Sequence, residues 1–335
     1  MVAADRIGWC VVRIATFNLN NLFSRYDFTA DVAAIPAGPG GAPVEITTQV
    51  DPADPDRVKF RTFKGRLVKG KPQAERRRLA ERITALDADV LAVQEVEDVT
   101  TLTAFATTEL VGLGYRHVVL VEGNDPRLID VGLLSRLPIG GVTSWRHAVL
   151  HPTDPDPVFS RDLLQVDILA ADRSRRLLTI FNTHLKSKFC DFHEDPVTCQ
   201  QHNTELRTRQ AAVAARIIAA QTRPASRFLV CGDMNDAPTS PALAPLTGDT
   251  TLHLVDGLAE AVPDRPAPHD SPPAPDRPWS DRFKQAGHPA DYQLLDQIWL
   301  APALADRLTG AGIGRRTHLT GDASDHDPTW VDLNL

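Results

Sequence analysis

The sequence lacks the features that mark membrane, disulfide-rich or zinc-built proteins. No apolar run in its 335 residues approaches the roughly 20 residues that a membrane-spanning helix needs. Four cysteines are too few for a fold that is held together by disulfides. No cluster of Cys and His has the spacing of a zinc site. The opening residues, MVAADRIGWCVVRIATF, carry charges where a signal peptide needs an apolar core, so we expect a cytoplasmic protein.

An excess of positive charge is also missing. The formal net charge is -7 at pH 7, which excludes a polycation that coats nucleic acid with its whole surface. The basic residues are nevertheless uneven, because they crowd into the segment from Arg57 to Arg82. Such a run is typical of a solvated helix face with its flanking loop, and the alternative is an edge that faces substrate phosphates.

Two of the cysteines, Cys190 and Cys199, bracket a polar loop, CDFHEDPVTC. Because the loop between them is short, we expect the two to lie close enough to form a disulfide. In a reducing compartment we expect free thiols. The loop also holds His193 and Glu194, but its spacing matches no zinc pattern.

What the chain does contain is a series of short strands with a few helices between them. Apolar residues make up 42% and charged residues 24%, as in ordinary globular proteins. The helical patterns lie at 74–86 and 205–221. Such a succession favours sheets that pack on each other with helices outside. Apolar, β-branched runs predict strands at 11–17, 89–94, 116–121, 130–135, 163–170, 176–182, 227–232, 294–300 and 328–335.

Two stretches, about 30–56 and 262–280, are rich in proline and are predicted to be irregular. We interpret both as surface insertions, not domain linkers, because the strand pattern resumes after each. The interpretation gives a single domain over residues 1–335.

Polar residues collect where the predicted strands end. Any one of them is ordinary turn chemistry, and the Asp327-Pro328 pair is expected to form the turn into the last strand. Strand ends that meet at one rim of a sheet are also where such folds place their sites, so we expect the others to converge. The residues concerned are Asn18, Glu95, His184, Lys186, Asp233, Asn235, Asp325 and His326.

These residue types form a coherent chemical set. Glu95, Asp233 and Asp325 offer hard oxygen ligands, which suit Mg²⁺ or Mn²⁺, with Ca²⁺ as a further candidate. The two histidines are donors or bases that work near neutral pH, and such an imidazole needs a partner that fixes its tautomer. Asp296 and Asp130 are the candidates, and a strand-edge charge that faces water is the alternative for each.

The ordered motifs FNLNNLF, LAVQEVED, IDVGLLSRLPI, FNTHLKSK, VCGDMND, LLDQIWL and SDHDP are similar to those of a known family. They resemble the endonuclease/exonuclease/phosphatase superfamily, the fold of DNase I and exonuclease III, and within it a bacterial nuclease-like branch. The resemblance spans residues 13–335. It implies an α+β fold, a four-layer αββα sandwich of two packed, mainly antiparallel sheets flanked by helices.

The resemblance also implies roles for the residues that bind metal and activate water. Asn18 and Glu95 match the family's principal metal-binding pair, and Asp325 matches an aspartate that supports the metal. His326 matches the catalytic histidine and Asp296 the aspartate that orients it. The residues that orient or activate the attacking water match Asp233 and Asn235.

Other matched positions are implied to contact the substrate phosphate. His184 matches a second, phosphate-contacting histidine, and Asp130 falls near the position that supports it. Arg161, in FSRDLLQVDI, falls where members place a phosphate-contacting arginine, and Lys186 is a candidate for a further cation.

The function implied is a metal-dependent phosphodiesterase that cleaves nucleic acid by in-line attack of an activated water. The proton acceptor is His326 or Asp233. A small phosphodiester, a nucleotide or a lipid headgroup is the alternative substrate, although no aromatic hairpin of the lipid-binding kind is present. A non-catalytic binding protein on the same scaffold is the remote alternative.

Overall fold

The computed structural model of the protein describes residues 11–25, 70–190, 194–285, 287–319 and 322–335, and the backbone of two short strands at 27–30 and 65–68. The predicted insertion at 30–56 therefore lies almost wholly outside the described residues. So does the basic run as far as Lys64, and Lys69 with it.

Two large sheets form the centre of the fold. The first has seven strands, in the spatial order β12 (Val262–Pro263), β16 (Leu308–Ile313), β17 (Thr329–Asn334), β1 (Val11–Leu22), β4 (Val90–Val96), β6 (Asp130–Ser135) and β5 (His117–Leu120). The second has six, in the order β11 (Val255–Asp256), β15 (Asp296–Leu300), β10 (Phe228–Asp233), β9 (Arg176–His184), β8 (Leu163–Leu169) and β7 (Ile139–Ser144).

The remaining elements of the described residues are two strand pairs and five helices. The pairs are β2 (Asp27–Ala30) with β3 (Gly65–Val68), and β13 (Asp281–Phe283) with β14 (Asp291–Gln293). The helices are α1 (Gln73–Leu86), α2 (Val99–Thr108), α3 (Pro196–Gln221), α4 (Ala244–Thr247) and α5 (Pro302–Ala305). None of the helices in the described parts of the chain is long and apolar enough to cross a bilayer.

Both sheets are mixed but mainly antiparallel. The parallel pairs are β1 with β4, β9 with β10 and β12 with β16, and the other neighbours in the two sheets run antiparallel. Alternate residues of a strand point to opposite faces of the sheet, so each sheet can bury side chains on both of its faces. On β1, Ile14 packs between the sheets, whereas Ala15 and Phe17 pack outwards against the helices.

The two outer layers are helical. Leu79 and Ile83 of α1 and Phe105 of α2 cover the first sheet, and Ala214 and Ile218 of α3 cover the second. Burying a Leu, Ile or Phe side chain in this way stabilises the fold by about 1.5 to 3 kcal/mol. The αββα sandwich predicted from the sequence is therefore confirmed.

A buried polar network joins the facing sheets close to the rim where the strands end. Gln94 on β4 donates to Asn182 Oδ1 on β9 at 2.7 Å. Asn182 Nδ2 donates in turn to the carbonyls of Val93 and Gly132 at 3.1 and 2.8 Å. A satisfied buried network of this kind fixes the register of one sheet against the other.

The nine predicted strands all correspond to strands of the structure, but four helices differ from expectation, because α2, α4 and α5 were not predicted and α3 begins earlier. Helix α3 begins at Pro196 and not at residue 205, because Asp195 caps it by accepting from Thr198 N at 2.8 Å. Helix α2 was not predicted, since its sequence VTTLTAFATT is rich in β-branched threonine.

The segment 262–280 is largely irregular, as predicted, but it is not wholly a surface insertion. Its last residues, Trp279 and Ser280, are buried. The guanidinium carbon of Arg315 lies 3.5 Å from the centroid of the Trp279 ring, and Ser280 Oγ accepts from the amide of Asp296 at 2.9 Å. The end of this segment therefore packs beneath the rim where the polar residues collect.

Cys190 and Cys199 form a disulfide, with their Cα atoms 6.0 Å apart. The expected proximity is confirmed. The bonded state differs from the free thiols expected in a reducing compartment.

Candidate active site

Four polar side chains stand at successive strand ends on the inner faces of the two sheets. Asn18 continues the inward-facing series of β1, as His184 does on β9, Asp233 on β10 and Asp296 on β15. Asp233 is paired in register with His184 on one side and with Asp296 on the other. The strand pattern alone therefore brings these residues together between the sheets at one rim.

Asp233 links the two sheets by a side-chain hydrogen bond. Its Oδ2 accepts from Asn18 Nδ2 at 3.0 Å, across from the seven-stranded sheet. The Nε2 atoms of His184 and His326 lie 3.5 and 3.8 Å from the same oxygen. Burial raises the pKa of Asp233 to about 7, although the charge of His326 and the Asn18 hydrogen bond oppose the rise.

The glycine before Asp233 is required by the backbone. Gly232 has a φ of 131°, and a Cβ there would lie 1.9 Å from the carbonyl oxygen of Thr183 on the neighbouring strand. A side chain at this position would push β9 away from β10. The glycine of the VCGD motif thus keeps His184 and Asp233 on adjacent strands.

His326 is held by Asp296. Its Nδ1 lies 2.6 Å from Asp296 Oδ2, and its Nε2 faces Asp233. Burial alone would lower the pKa of His326, but the carboxylates of Asp296 and Asp233 outweigh it and raise that pKa well above the usual value. The imidazole is therefore oriented by one carboxylate and turned towards another, as a base or a phosphate-binding cation requires.

His184 does not have the partner expected for it. Its Nδ1 is buried without a hydrogen-bond partner. Asp130, the expected support, instead accepts from the amide of Gly123 at 2.7 Å, and burial raises the pKa of Asp130 to about 6. Burial together with the nearby Arg161 lowers the pKa of His184 well below its usual value, so the ring is neutral at pH 7.

Asn235 and Arg161 lie around the same centre. Asn235 N donates to Asp233 Oδ1 at 2.9 Å, and its side chain donates to the carbonyl of Leu185 at 3.0 Å. Arg161 is buried, with its Nε 3.0 Å from Asp125 Oδ2. The charges of Glu95 and Asp233 act on the Arg161 guanidinium, which places this cation beside the acidic residues of the site.

Lys186 is half-buried next to these residues. Its backbone amide donates to Gln210 Oε1 at 2.8 Å. Burial and the neighbouring Arg161 lower the pKa of the Lys186 ammonium group. The Lys186 ammonium group therefore lies near Arg161, and its role as a further cation stays a prediction.

Glu95 and Asp325 form the acidic side of the site. Glu95 Oε2 accepts from the amide of Asn21 at 3.0 Å, and Asp325 Oδ1 accepts from Asn20 Nδ2 at 2.8 Å. Glu95 has a φ of 59°, which interrupts the alternation of β4 at a shift in register. Such a conformation costs about 1 to 3 kcal/mol and collects at functional sites.

Asp281 is a member of this acidic side that sequence reasoning missed. Ligand atoms of Asp281, Asp325 and His326 lie within 4.8 Å of one another. Burial raises the pKa of Asp281 to about 6, with Asp325 adding to the effect. No signal in its own neighbourhood, PWSDRF, distinguishes it, because β13 reaches His326 only through tertiary pairing.

The donor set fits a hard divalent cation. Asp281 and Asp325 offer carboxylate oxygens that lie within 4.8 Å of each other and of a His326 nitrogen, and Mg²⁺ or Mn²⁺ prefers such oxygens. Oδ1 of Asn18 accepts from the amide of Asn20 at 2.9 Å, so this oxygen is shared with the backbone. The charges of Glu95 and Asp325 both act on the Lys71 ammonium group, so Glu95 is a further carboxylate near this group.

The segment that carries Asp325 and His326 is anchored by arginines. Asp327 is wholly buried and accepts from Arg82 Nη2 at 2.9 Å, Arg316 Nε at 2.9 Å and Arg315 Nη1 at 2.8 Å. Arg82 also donates to the carbonyl of His326 at 2.9 Å, and Arg316 to that of Asp325 at 2.6 Å. Asp327 thus does more than form a turn, because it fixes the backbone of the site.

Comparison with known proteins agrees with this architecture. The model of the Endonuclease/Exonuclease/phosphatase family matches residues 15–326. No curated protein matches the sequence. Solved structures are similar in fold at low sequence identity.

Three of these structures are named for different proteins. An AP endonuclease from Archaeoglobus fulgidus has 16% identity and a TM-score of 0.55, over 97% of this chain and 100% of that one. TDP2 from D. rerio, complexed with single strand DNA product, has 14% identity and a TM-score of 0.55, over 97% of this chain and 99% of that one. A mannosyl-6-phosphatase from Bacteroides thetaiotaomicron has 14% identity and a TM-score of 0.54, over 96% of this chain and 99% of that one.

Identities this low show the fold alone, whereas the family model covers nearly the whole chain and spans the site from Asn18 to His326. The chain therefore belongs to the endonuclease/exonuclease/phosphatase family.

Proposed function

We propose that this phosphoester hydrolase is a metal-dependent phosphodiesterase, acting as one domain over residues 1–335, whose substrate is nucleic acid. The observation that carries the proposal is the meeting of His326, Asp296 and Asp233 at the rim where the sheets face each other. Similar structures include two proteins named for action on DNA or bound to it, which supports the choice of nucleic acid.

The chemistry follows from charge, because a phosphodiester is an anion that repels a nucleophile. When bound by Glu95 and Asp325, Mg²⁺ or Mn²⁺ supplies positive charge for a phosphate oxygen and for the leaving oxygen. In this proposal Arg161 and the side-chain amide of Asn235, which lie around Asp233, hold the remaining oxygens as they gain charge. His184, neutral at pH 7, donates or accepts through Nε2 next to Asp233.

Asp233 is the proton acceptor in this proposal. It lies at the centre of the site, with Asn18 and two imidazoles around one of its oxygens. His326, between Asp296 and Asp233, is protonated and faces the phosphate as a cation. The alternative, with His326 as the acceptor, requires its Nε2 to be free of a proton when the water attacks.

The test is hydrolysis by the purified protein with Mg²⁺ or Mn²⁺ of plasmid DNA, a single-stranded oligonucleotide and bis-p-nitrophenyl phosphate. We expect cleavage of nucleic acid and of the small diester, and loss of both in EDTA. Cleavage of the small diester without nucleic acid would replace the polymer by a small phosphodiester. A preference for mannose 6-phosphate or p-nitrophenyl phosphate would instead favour a phosphatase, the activity named for one similar structure.

A further inference from the structure

A groove of about 780 Å³ opens beside the catalytic residues. Its walls come from the segment 124–127, from residues 156–161 and from the residues that follow His184, together with two residues of α3. Three cations line it: Arg127, Arg161 and Lys186. Lys186 and Ser187 follow His184 directly in the chain after Leu185, so the groove lies next to the catalytic centre.

The groove keeps a surplus of positive charge. Asp125 lies between the two arginines, with its Oδ2 3.0 Å from Arg161 Nε and its Oδ1 3.8 Å from Arg127 Nε. Asp156 is the other carboxylate in the wall, so two anions face three cations. Arg161 is buried and its Nε is paired with Asp125, whereas the Arg127 side chain is 40% exposed and Lys186 is half-buried, so these two are the more accessible cations of the groove.

The site is therefore polarised from one side to the other. Asp281 and Asp325 stand together beside His326 and repel any phosphate that no metal neutralises. Arg127 and Lys186 stand in the groove. A substrate with a second phosphate next to the scissile one would place it on the basic side, in the groove.

An exposed aromatic ring stands in the same groove. Phe189 lines it and is 70% exposed. The backbone that carries the ring is held, because Asn203 Nδ2 donates to the Phe189 carbonyl at 3.0 Å and the next residue, Cys190, is bonded to Cys199 at the start of α3. A fixed backbone with an uncovered ring is the arrangement on which a planar group can stack.

We propose that this groove binds the part of a single-stranded nucleic acid that adjoins the scissile phosphate. Arg127 and Lys186 take the neighbouring phosphate, and Phe189 stacks on its base. An unpaired base is required, because a base inside a duplex offers no free face to the ring. The proposal rests on the proposed function for the place of the scissile phosphate, and it names the form of the substrate.

Binding can be measured without turnover. A short fluorescein-labelled single-stranded oligonucleotide is titrated with the full chain in EDTA over a range of salt concentrations, and anisotropy gives Kd. Phe189→Ala removes the ring, with Val111→Ala, another exposed apolar residue, as its control. Arg127→Gln removes the charge, with the exposed Arg209→Gln on α3 as its control and Arg127→Lys as the variant that keeps the charge.

We expect Phe189→Ala to weaken binding about tenfold and to leave the slope of log affinity against log salt unchanged, because stacking is not electrostatic. Arg127→Gln should weaken binding and flatten that slope by about 0.7, the value for one phosphate contact in a single strand, and Arg127→Lys should keep the slope. Both control variants should bind as the parent does.

If Phe189→Ala and Arg127→Gln bind the oligonucleotide as tightly as their controls do, the proposed role of the groove is wrong. This holds even if the protein hydrolyses bis-p-nitrophenyl phosphate. Absence of oligonucleotide binding by the parent would overturn it as well. Failure to hydrolyse any phosphodiester would instead count against the proposed function, and the loss of binding in Phe189→Ala would still support the groove. A duplex that binds the parent as tightly as the single strand does, with neither affinity changed by Phe189→Ala, would contradict stacking of an unpaired base on this ring.

Discussion

His326 Nδ1 lies 2.6 Å from Asp296 Oδ2, and the two residues belong to different sheets. Asp296 begins β15 of the six-stranded sheet, whereas His326 stands just before β17 of the seven-stranded one. Both side chains are buried. This pair therefore forms only when the two sheets face each other in the register that the fold provides.

We expect these two residues to act as one unit. Asp296→Asn should lower kcat/KM on bis-p-nitrophenyl phosphate by at least about tenfold, because the amide no longer orients and charges the imidazole. His326→Ala should cost at least as much, and the double variant little more than His326→Ala alone. Losses that multiply in the double variant would show that Asp296 supports the structure and not the histidine.

Activity should depend on a divalent metal that Glu95 holds. Glu95→Gln keeps the shape of the side chain and removes its charge, so we expect turnover to fall by more than about tenfold and the Mg²⁺ concentration for half-maximal rate to rise. Glu260→Gln, which changes an exposed carboxylate after β11, is the matched control. Full activity in excess EDTA, or parental turnover in Glu95→Gln, would argue against a metal at this position.

Asp327 should matter more to stability than an ordinary ion pair does. Asp327→Asn leaves Arg82, Arg315 and Arg316 in a buried cluster without their carboxylate, so we expect a loss of about 3 to 5 kcal/mol in the free energy of unfolding. Arg176→Gln, which breaks a pair at the surface, should cost about 0 to 1 kcal/mol in the same urea titration. Equal losses in the two variants would mean that the cluster is dispensable.

Asp130 should make stability depend on pH. Its pKa is about 6 in the folded protein because of burial, and a free aspartate has its pKa near 4. The folded state therefore holds a proton that the unfolded state has lost, so this residue's contribution to stability falls as the pH rises from about 4 to 6.

Asp130→Asn removes that titration. The free energy of unfolding of the variant minus that of the parent should therefore rise across the same pH window in urea titrations. A difference that stays constant from pH 4 to 7, or that falls, would contradict burial as the dominant effect on this carboxyl group.

Much of the fold and of the site could be predicted from short stretches of the sequence. Alternating apolar residues fix which face of a strand is inward, and a polar residue that continues the inward series must point between the sheets. For this reason Asn18, His184 and Asp233 could be expected at one rim from the sequence alone.

The parts that could not be predicted depend on residues far apart in the chain. Asp281 reaches His326 through an isolated bridge, and Asp327 gathers arginines from α1 and from the segment before β17. The support expected from Asp130 for His184 failed because Asp130 instead bonds the amide of Gly123. The substrate-binding role of the basic run from Arg57 to Arg82 stays a prediction.

Hydrolysis of bis-p-nitrophenyl phosphate by the parent and by His326→Ala, in Mg²⁺ and in EDTA, tests the central claim most directly. A small diester reaches only the rim where the sheets face each other, so its turnover reports the site and not the binding of a polymer. We predict metal-dependent hydrolysis by the parent and a loss of about 10² to 10³ in rate for His326→Ala, the usual effect of removing one group that stabilises developing charge. Parental rates in His326→Ala, or a parent that hydrolyses no phosphodiester with either metal, would contradict it.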